Sequence, residues 1–129
     1  MDPTKEQWAE IAELCKAKSH IPFFDVAYQG FATGSLDEDA WAPRFFAEQG
    51  LEIMVCQSYS KNLGLYSERV GAINIVCEDK DTATRCVSLF VKWIITAMSS
   101  WQKQVYLLTS DDCVTIRSQI YCPTKYSCA

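Results

Sequence analysis

Leu51-Glu52-Ile53-Met54-Val55-Cys56-Gln57 runs directly into Ser58-Tyr59-Ser60-Lys61-Asn62-Leu63-Gly64, and the reading of this junction decides the fold. The first seven residues are a short, apolar-rich run of strand length, and the polar residues after them form a loop. Upstream, Ile21-Pro22-Phe23-Phe24 is a second run of the same kind, which stops at Asp25. Between the two lie a loop with two glycines, Val26 to Ser35, and a helical stretch. Asp37-Glu38-Asp39 suits the positive end of that helix, which is expected to begin near Asp39 and to end near Gly50, with Pro43 tolerated in the first turn. Strand, loop, helix and strand in this order make a β-α-β unit, with parallel strands and a right-handed crossover, and place the chain in the α/β class. In open α/β sheets ligands lie outside the carboxyl ends of the strands. Asp25 and the Ser58–Lys61 loop both fall at that edge, with the Tyr28 phenol and Arg69 close to them in sequence.

A lysine amine can act as a nucleophile when its surroundings depress its pKa, and its commonest covalent use is an imine bond to a carbonyl substrate or to pyridoxal phosphate. Serine hydroxyls at Ser58 and Ser60 and the guanidinium of Arg69 are what a phosphate monoester needs, because the planar Arg fork gives two parallel charge-assisted hydrogen bonds. As bare residue types, the same hydroxyls, lysine and arginine also describe an ordinary solvated turn.

Working outward, Thr4 with Gln7 forms a capping-box pattern, and Trp8, Ile11, Leu14 and Cys15 recur at helical spacing, which predicts a helix over roughly Lys5 to Lys18. Downstream, Ala72-Ile73-Asn74-Ile75-Val76 reads as a third strand, and a further helix is expected from about Thr82. Trp8, Trp41, Phe45 and Phe46 occupy apolar helical positions and are expected in the core. From Cys86 to Ala129 the sequence shows an apolar run interrupted by Lys92 and then a Cys/Ser/Thr/Tyr-rich end without clear periodicity. Three strands alone would leave exposed edges.

The 129 residues, 49% hydrophobic and 22% charged, describe at most one ordinary globular domain. A net charge of -4 leaves no basic stripe for a nucleic acid, and no apolar run approaches the roughly eighteen residues that span a bilayer. The sole histidine, His20, excludes a histidine-dependent triad or multi-histidine metal site within this chain. Seven cysteines without a C-x-x-C pair read as reduced thiols of an intracellular, by default cytoplasmic, protein, and no metal site is expected. An organellar form stays open.

The blocks Pro22-Phe23-Phe24-Asp25-Val26-Ala27-Tyr28-Gln29-Gly30-Phe31-Ala32, Asp39-Ala40-Trp41-Ala42 and Ser58-Tyr59-Ser60-Lys61-Asn62-Leu63-Gly64-Leu65-Tyr66-Ser67-Glu68-Arg69-Val70-Gly71, together with their spacing, resemble aspartate aminotransferase, of the class I aminotransferases. The resemblance implies a fragment of the large domain of a fold type I pyridoxal-phosphate enzyme, a mostly parallel sheet with flanking helices. It implies pyridoxal 5'-phosphate as cofactor, amino-group exchange between L-aspartate and 2-oxoglutarate, and a homodimer. Carried over by residue, Lys61 would bond the cofactor and later move the proton, and Asp25 would pair with the pyridinium nitrogen. Tyr28 would hydrogen-bond the phenolic oxygen, and Ser58 with Arg69, assisted by Ser60, would hold the phosphate.

The resemblance is read over residues 1–85, the partial large domain, and 86–129 is taken as a divergent C-terminal tail without family resemblance. There the family's substrate-reading arginine and Ser-Asn-Pro-Pro turn are replaced by Cys86-Val87-Ser88-Leu89-Phe90-Val91-Lys92-Trp93-Ile94-Ile95. The competing expectation is therefore a catalytically inactive product that retains at most cofactor or subunit binding.

Overall fold

The computed structural model describes residues 2–67, 70–97, 103–110 and 113–120. In chain order the elements are α1 (Lys5–Lys18), β1 (Phe23–Val26), α2 (Leu36–Asp39), α3 (Trp41–Glu48), β2 (Ile53–Ser58), β3 (Val70–Val76), α4 (Lys80–Ala97), β4 (Lys103–Ser110) and β5 (Cys113–Ile120). They form one five-stranded sheet in the order β1-β2-β3-β5-β4, flanked by helices, which is the expected α/β class. The share of parallel pairing is lower than expected. β1 and β2 are parallel, whereas β2–β3, β3–β5 and β4–β5 are antiparallel. The reason lies in the connections. A parallel partner needs a crossover, which α2 and α3 supply between β1 and β2, while no helix separates β2 from β3 and the chain returns antiparallel.

Helix α1 begins as its sequence dictates. The Thr4 side chain accepts from the Gln7 amide, and Gln7 Oε1 accepts from the Thr4 amide at 2.8 Å, so orphan donors at the helix start are satisfied reciprocally. Its buried face differs from the expected one. Ala12 is buried with Trp8 and Cys15 packed beside it, whereas Ile11 and Leu14 are exposed. A small residue at position 12 lets the helix approach α3 closely, and the large side chains one step round the wheel are left outside.

The expected single helix after the glycine loop is split. Ser35 caps α2, whose first turn carries Asp37, Glu38 and Asp39, and the chain re-enters helix at Trp41 after Ala40. Pro43 then falls in the first turn of α3, where its missing N–H removes no intrahelical bond.

Register sorts the sheet into two faces. Phe24 pairs with Val55 and Ile53 with Val76, and these four pack with Ala12, Phe46, Trp8, Phe45 and Leu51 under α1 and α3. Phe46 is 1% exposed and sits edge-on to Phe24 at 5.1 Å and to Trp8 at 5.9 Å between ring centroids. Trp41 lies at the margin, stacked on Phe45 at 4.8 Å with the Lys5 amine 5.1 Å from its ring. On the opposite face Met54, Ile73 and Ile75 pack with Cys77, Ala83, Cys86, Val87 and Phe90, which brings in α4. Asp79 holds the start of that helix, its carboxylate accepting from the Thr82 amide at 2.7 Å.

Helix α4 runs without interruption through residue 85 to Ala97, and β5 is inserted between β3 and β4. The alternation Val114-Thr115-Ile116-Arg117 is a period-two signal within the stretch expected to lack periodicity. β1 and β4 are the sheet edges. Cys15, Cys56 and Cys86 are free thiols.

Candidate cofactor site

Asp25 lies near the carboxyl end of β1, opposite Cys56 and, one strand further, Ile73. The parallel pairing of β1 with β2 brings the ends of both strands to one edge, and the chain leaves β2 at Ser58 into a turn that carries Lys61. That turn is closed by Leu63 donating to the Tyr59 carbonyl at 3.3 Å and Gly64 to the Lys61 carbonyl at 3.4 Å. Gly64 there has φ +66°, in the left-handed region. Ser60 is 8% exposed and its amide donates to Ser58 Oγ at 3.4 Å, so both hydroxyl residues form the base of the turn.

The Lys61 amine stands 4.2 Å from the centre of the Tyr28 ring. A hydrogen bond with the Tyr28 side chain raises its pKa above the ordinary lysine value, partial desolvation opposes this, and the charges of Tyr28, Tyr66 and Asp25 add to the rise. The environment thus works opposite to a depressed-pKa nucleophile, because each of these neighbours favours the ammonium form. Lys61 must lose a proton before it can attack a carbonyl. The Asp25 charge is also felt by Cys56, whose thiol is pushed up mainly by burial and then by this carboxylate.

The structure therefore brings Asp25, Tyr28 and Lys61 together and places Ser58 and Ser60 beneath the same turn. Arg69 lies outside the described residues. An amine, a phenol, a carboxylate and hydroxyls on one strand edge match the chemistry of pyridoxal phosphate, which needs a covalent anchor, an acid partner for its ring nitrogen and donors for its oxygens. Asn62 Oδ1, next to Lys61 in the turn, is a buried polar atom with no hydrogen-bond partner among the described residues.

Sequence reasoning missed residues that shape this edge. Gln57, the last residue before Ser58, donates to Gln29 Oε1, accepts from the Tyr59 hydroxyl at 3.3 Å, and so ties β2 to the loop after β1. Gln29 in turn donates to the Leu36 carbonyl at 2.9 Å. The Asp39 carboxylate gathers that loop, and a hydrogen bond from Thr33, with backbone amides behind it, holds its pKa below the usual carboxylate value. No periodicity marks such residues; Gln29 and Asp39 flank the glycine loop and the start of α2, and Gln57 is the penultimate residue of the strand that leads into the Lys61 turn.

Gly71 pairs with Ser58, and a Cβ on it would meet the Gln57 carbonyl oxygen at 2.7 Å. The obstacle is backbone, so Gly71→Ala is expected to part β2 from β3 at Ser58 and to cost about 1–3 kcal/mol, read as a lower urea midpoint. Acid should weaken the fold by a different route. Asp39 and Asp79 both titrate below their ordinary values because they accept hydrogen bonds, Asp39 from the Thr33 side chain first and Asp79 from the Thr82 amide and then its hydroxyl. The stability these bonds contribute is fully present above about pH 4, the unfolded carboxylate value, and is lost as pH falls through the lower folded-state values. Urea midpoints measured from pH 7 downward should fall in this acid range, and the fall should be smaller in Asp39→Asn.

The model of the family "Aminotransferase class I and II" matches residues 1–122, and the chain belongs to this family. The relatives it matches include aspartate aminotransferases. It is 67% identical over 88 residues to the chloroplastic enzyme of Arabidopsis thaliana, covering 68% of this chain and 19% of that protein. It is 50% identical over 99 residues to the cytoplasmic enzyme of Gallus gallus, covering 77% of this chain and 24% of that one. Among solved structures, aspartate aminotransferase from Trypanosoma cruzi superposes with TM-score 0.72 at 52% identity, over 75% of this chain and 25% of that one. An aromatic-amino-acid aminotransferase from Burkholderia pseudomallei, covalently bound to pyridoxal phosphate, gives TM-score 0.73 at 43% identity, over 77% and 25%. The chain thus spans about a fifth to a quarter of the length of these relatives.

Proposed function

We propose that this chain carries the covalent cofactor edge of an aspartate-type aminotransferase, with pyridoxal 5'-phosphate bonded to Lys61 and with L-aspartate and 2-oxoglutarate as the substrates of the whole enzyme. The observation that carries the reading is the Lys61 amine over the Tyr28 ring, with the Asp25 charge acting on it from the neighbouring parallel strand. Bound there, the cofactor supplies an electron-withdrawing ring that stabilises negative charge at the substrate α-carbon. Asp25 would hold a proton on the ring nitrogen, and Tyr28 would orient the phenolic oxygen. Ser58, Ser60 and Arg69 would bind the phosphate. The Lys61 amine, once free, would carry a proton to or from the α-carbon.

A second reading applies to the chain as it stands: a catalytically inactive product that keeps at most cofactor or subunit binding. It is supported by the open surface round the site, where Tyr28 is 55%, Phe31 65%, Leu63 62% and Tyr66 63% exposed. Orientation by surrounding groups supplies much of a catalytic rate, and an edge this open supplies little. A homodimer, an intracellular location and a change to divergent sequence near residue 85 belong to the same proposal. Helix α4 passes through residue 85, and the family model matches as far as residue 122.

The test is to add pyridoxal phosphate to the full chain, reduce with borohydride and map the modified peptide. Labelling confined to Lys61 is expected. Labelling spread over surface lysines would overturn the cofactor reading, and transamination of aspartate by the isolated chain would overturn the inactive one.

A further inference from the structure

The loop between β1 and α2 is gathered onto a single carboxylate. Asp39 Oδ2 accepts from the Gly30 amide at 2.7 Å and the Ala32 amide at 3.1 Å, and Oδ1 accepts from the Thr33 amide at 3.1 Å and the Thr33 hydroxyl at 2.7 Å. Hydrogen bonds to an ionised acceptor are stronger than neutral ones, and a carboxylate has enough lone pairs to take all of these at once. Gly30 has φ +91°, in the left-handed region that favours glycine, and a Cβ there would meet Leu36 Cδ2 at 2.9 Å.

The bonds do more than close a turn. Tyr28 lies two residues before the gathered segment, its carbonyl accepts from the Phe31 amide at 3.0 Å, and its ring meets Phe31 edge-on at 6.0 Å. Tyr28 is itself largely exposed, so core packing does little to fix it. Its place over Lys61 depends on where the loop sits. The Gln29–Gln57 bridge ties the loop to the end of β2, which leads into the Lys61 turn.

We infer that Asp39 is a positioning residue for the cofactor edge: its carboxylate holds the loop 30–33 so that the Tyr28 side chain meets the Lys61 amine. As a statement about a cofactor site this rests on the reading proposed above. As a statement about the contact between Tyr28 and Lys61 it does not.

The experiment follows the 13Cε resonance of Lys61 against pH in the full chain labelled with 13C-lysine, assigned by its loss in Lys61→Arg. Wild type, Tyr28→Phe, Asp39→Asn and the double variant are compared. The groups facing the amine are Tyr28, Tyr66 and Asp25, and none of them is substituted in Asp39→Asn. An asparagine cannot accept on both sides, because its NH2 group meets donors.

Asp39→Asn is expected to move the Lys61 midpoint to lower pH, as Tyr28→Phe does, and to add no further shift in the Tyr28→Phe background. The Gly30, Ala32 and Thr33 amides should exchange about tenfold faster. Equal shifts in both backgrounds would mean that Asp39 acts through its charge alone, and an unchanged midpoint would mean that the clasp serves only the loop; either result overturns the inference. If Asp39→Asn fails to fold, Thr33→Val, which removes the hydroxyl donor to Asp39 together with the acceptor of the Ser35 amide and leaves the three backbone donors, must give a smaller shift in the same direction, and no shift overturns the inference. Pyridoxal phosphate is added to wild type in parallel. Its bonding to Lys61 decides the cofactor reading, while the titration decides the role of Asp39.

Discussion

Lys61→Ala is expected to abolish covalent attachment of pyridoxal phosphate and the visible absorption that comes with it, while leaving the melting temperature nearly unchanged. Lys61 is exposed and lies in a turn outside both apolar clusters. Surface substitutions of this kind usually alter stability by no more than about 0.5 kcal/mol. Chemistry and fold should therefore separate cleanly at this residue. Lys61→Arg sharpens the result, because a guanidinium can still sit over the Tyr28 ring but is not a nucleophile at neutral pH. Loss of absorption in both variants with an unchanged fold assigns the covalent bond to the Lys61 amine. Absorption that persists in Lys61→Ala would place the bond elsewhere and remove the basis of the proposed function.

The largest effect on stability is expected from Phe46→Ala, at about 3–5 kcal/mol. Phe46 is the large side chain most completely buried among the described residues, and it joins α3 to the sheet through Phe24 and to α1 through Trp8. Truncation removes apolar burial and edge-on ring contacts together and leaves a cavity between elements that cannot close without moving a helix. Against the roughly 5–15 kcal/mol by which a domain is stable, this loss is large, and denaturant unfolding of the full chain should show a much lower midpoint or no cooperative transition. A midpoint close to that of wild type would mean that α1 and α3 are not held to the sheet through this residue. Because β1 belongs to the same cluster through Phe24, the loss should also weaken the edge that carries Asp25.

Much of the local structure was legible because local patterns govern it. The Thr4–Gln7 box and the run to Lys18 fixed α1, and the short apolar runs before Asp25 and Ser58 marked β1 and β2. The parallel pairing followed from the helix between them. Less legible was which side of α1 is buried, since Ala12 carries too little hydrophobicity to stand out against Ile11 and Leu14. Strand β5 is hard to read because Val114 and Ile116 alternate with polar residues, which looks irregular unless alternation is sought. The break between α2 and α3 follows from the Ser35 cap and the position of Ala40, at a scale finer than periodicity resolves.

By itself the sequence determined the class of fold, the strand ends and the chemical groups offered at them, because these depend on residue type and short-range spacing. Only the tertiary structure decided how the groups act on one another. The rise in the Lys61 pKa, the tie between Gln29 and Gln57 and the gathering of the loop by Asp39 all depend on distances between segments that are remote in the chain or folded back on themselves. Hydrogen bonds and charges act through space, and no pattern along the chain states which donor will meet which acceptor.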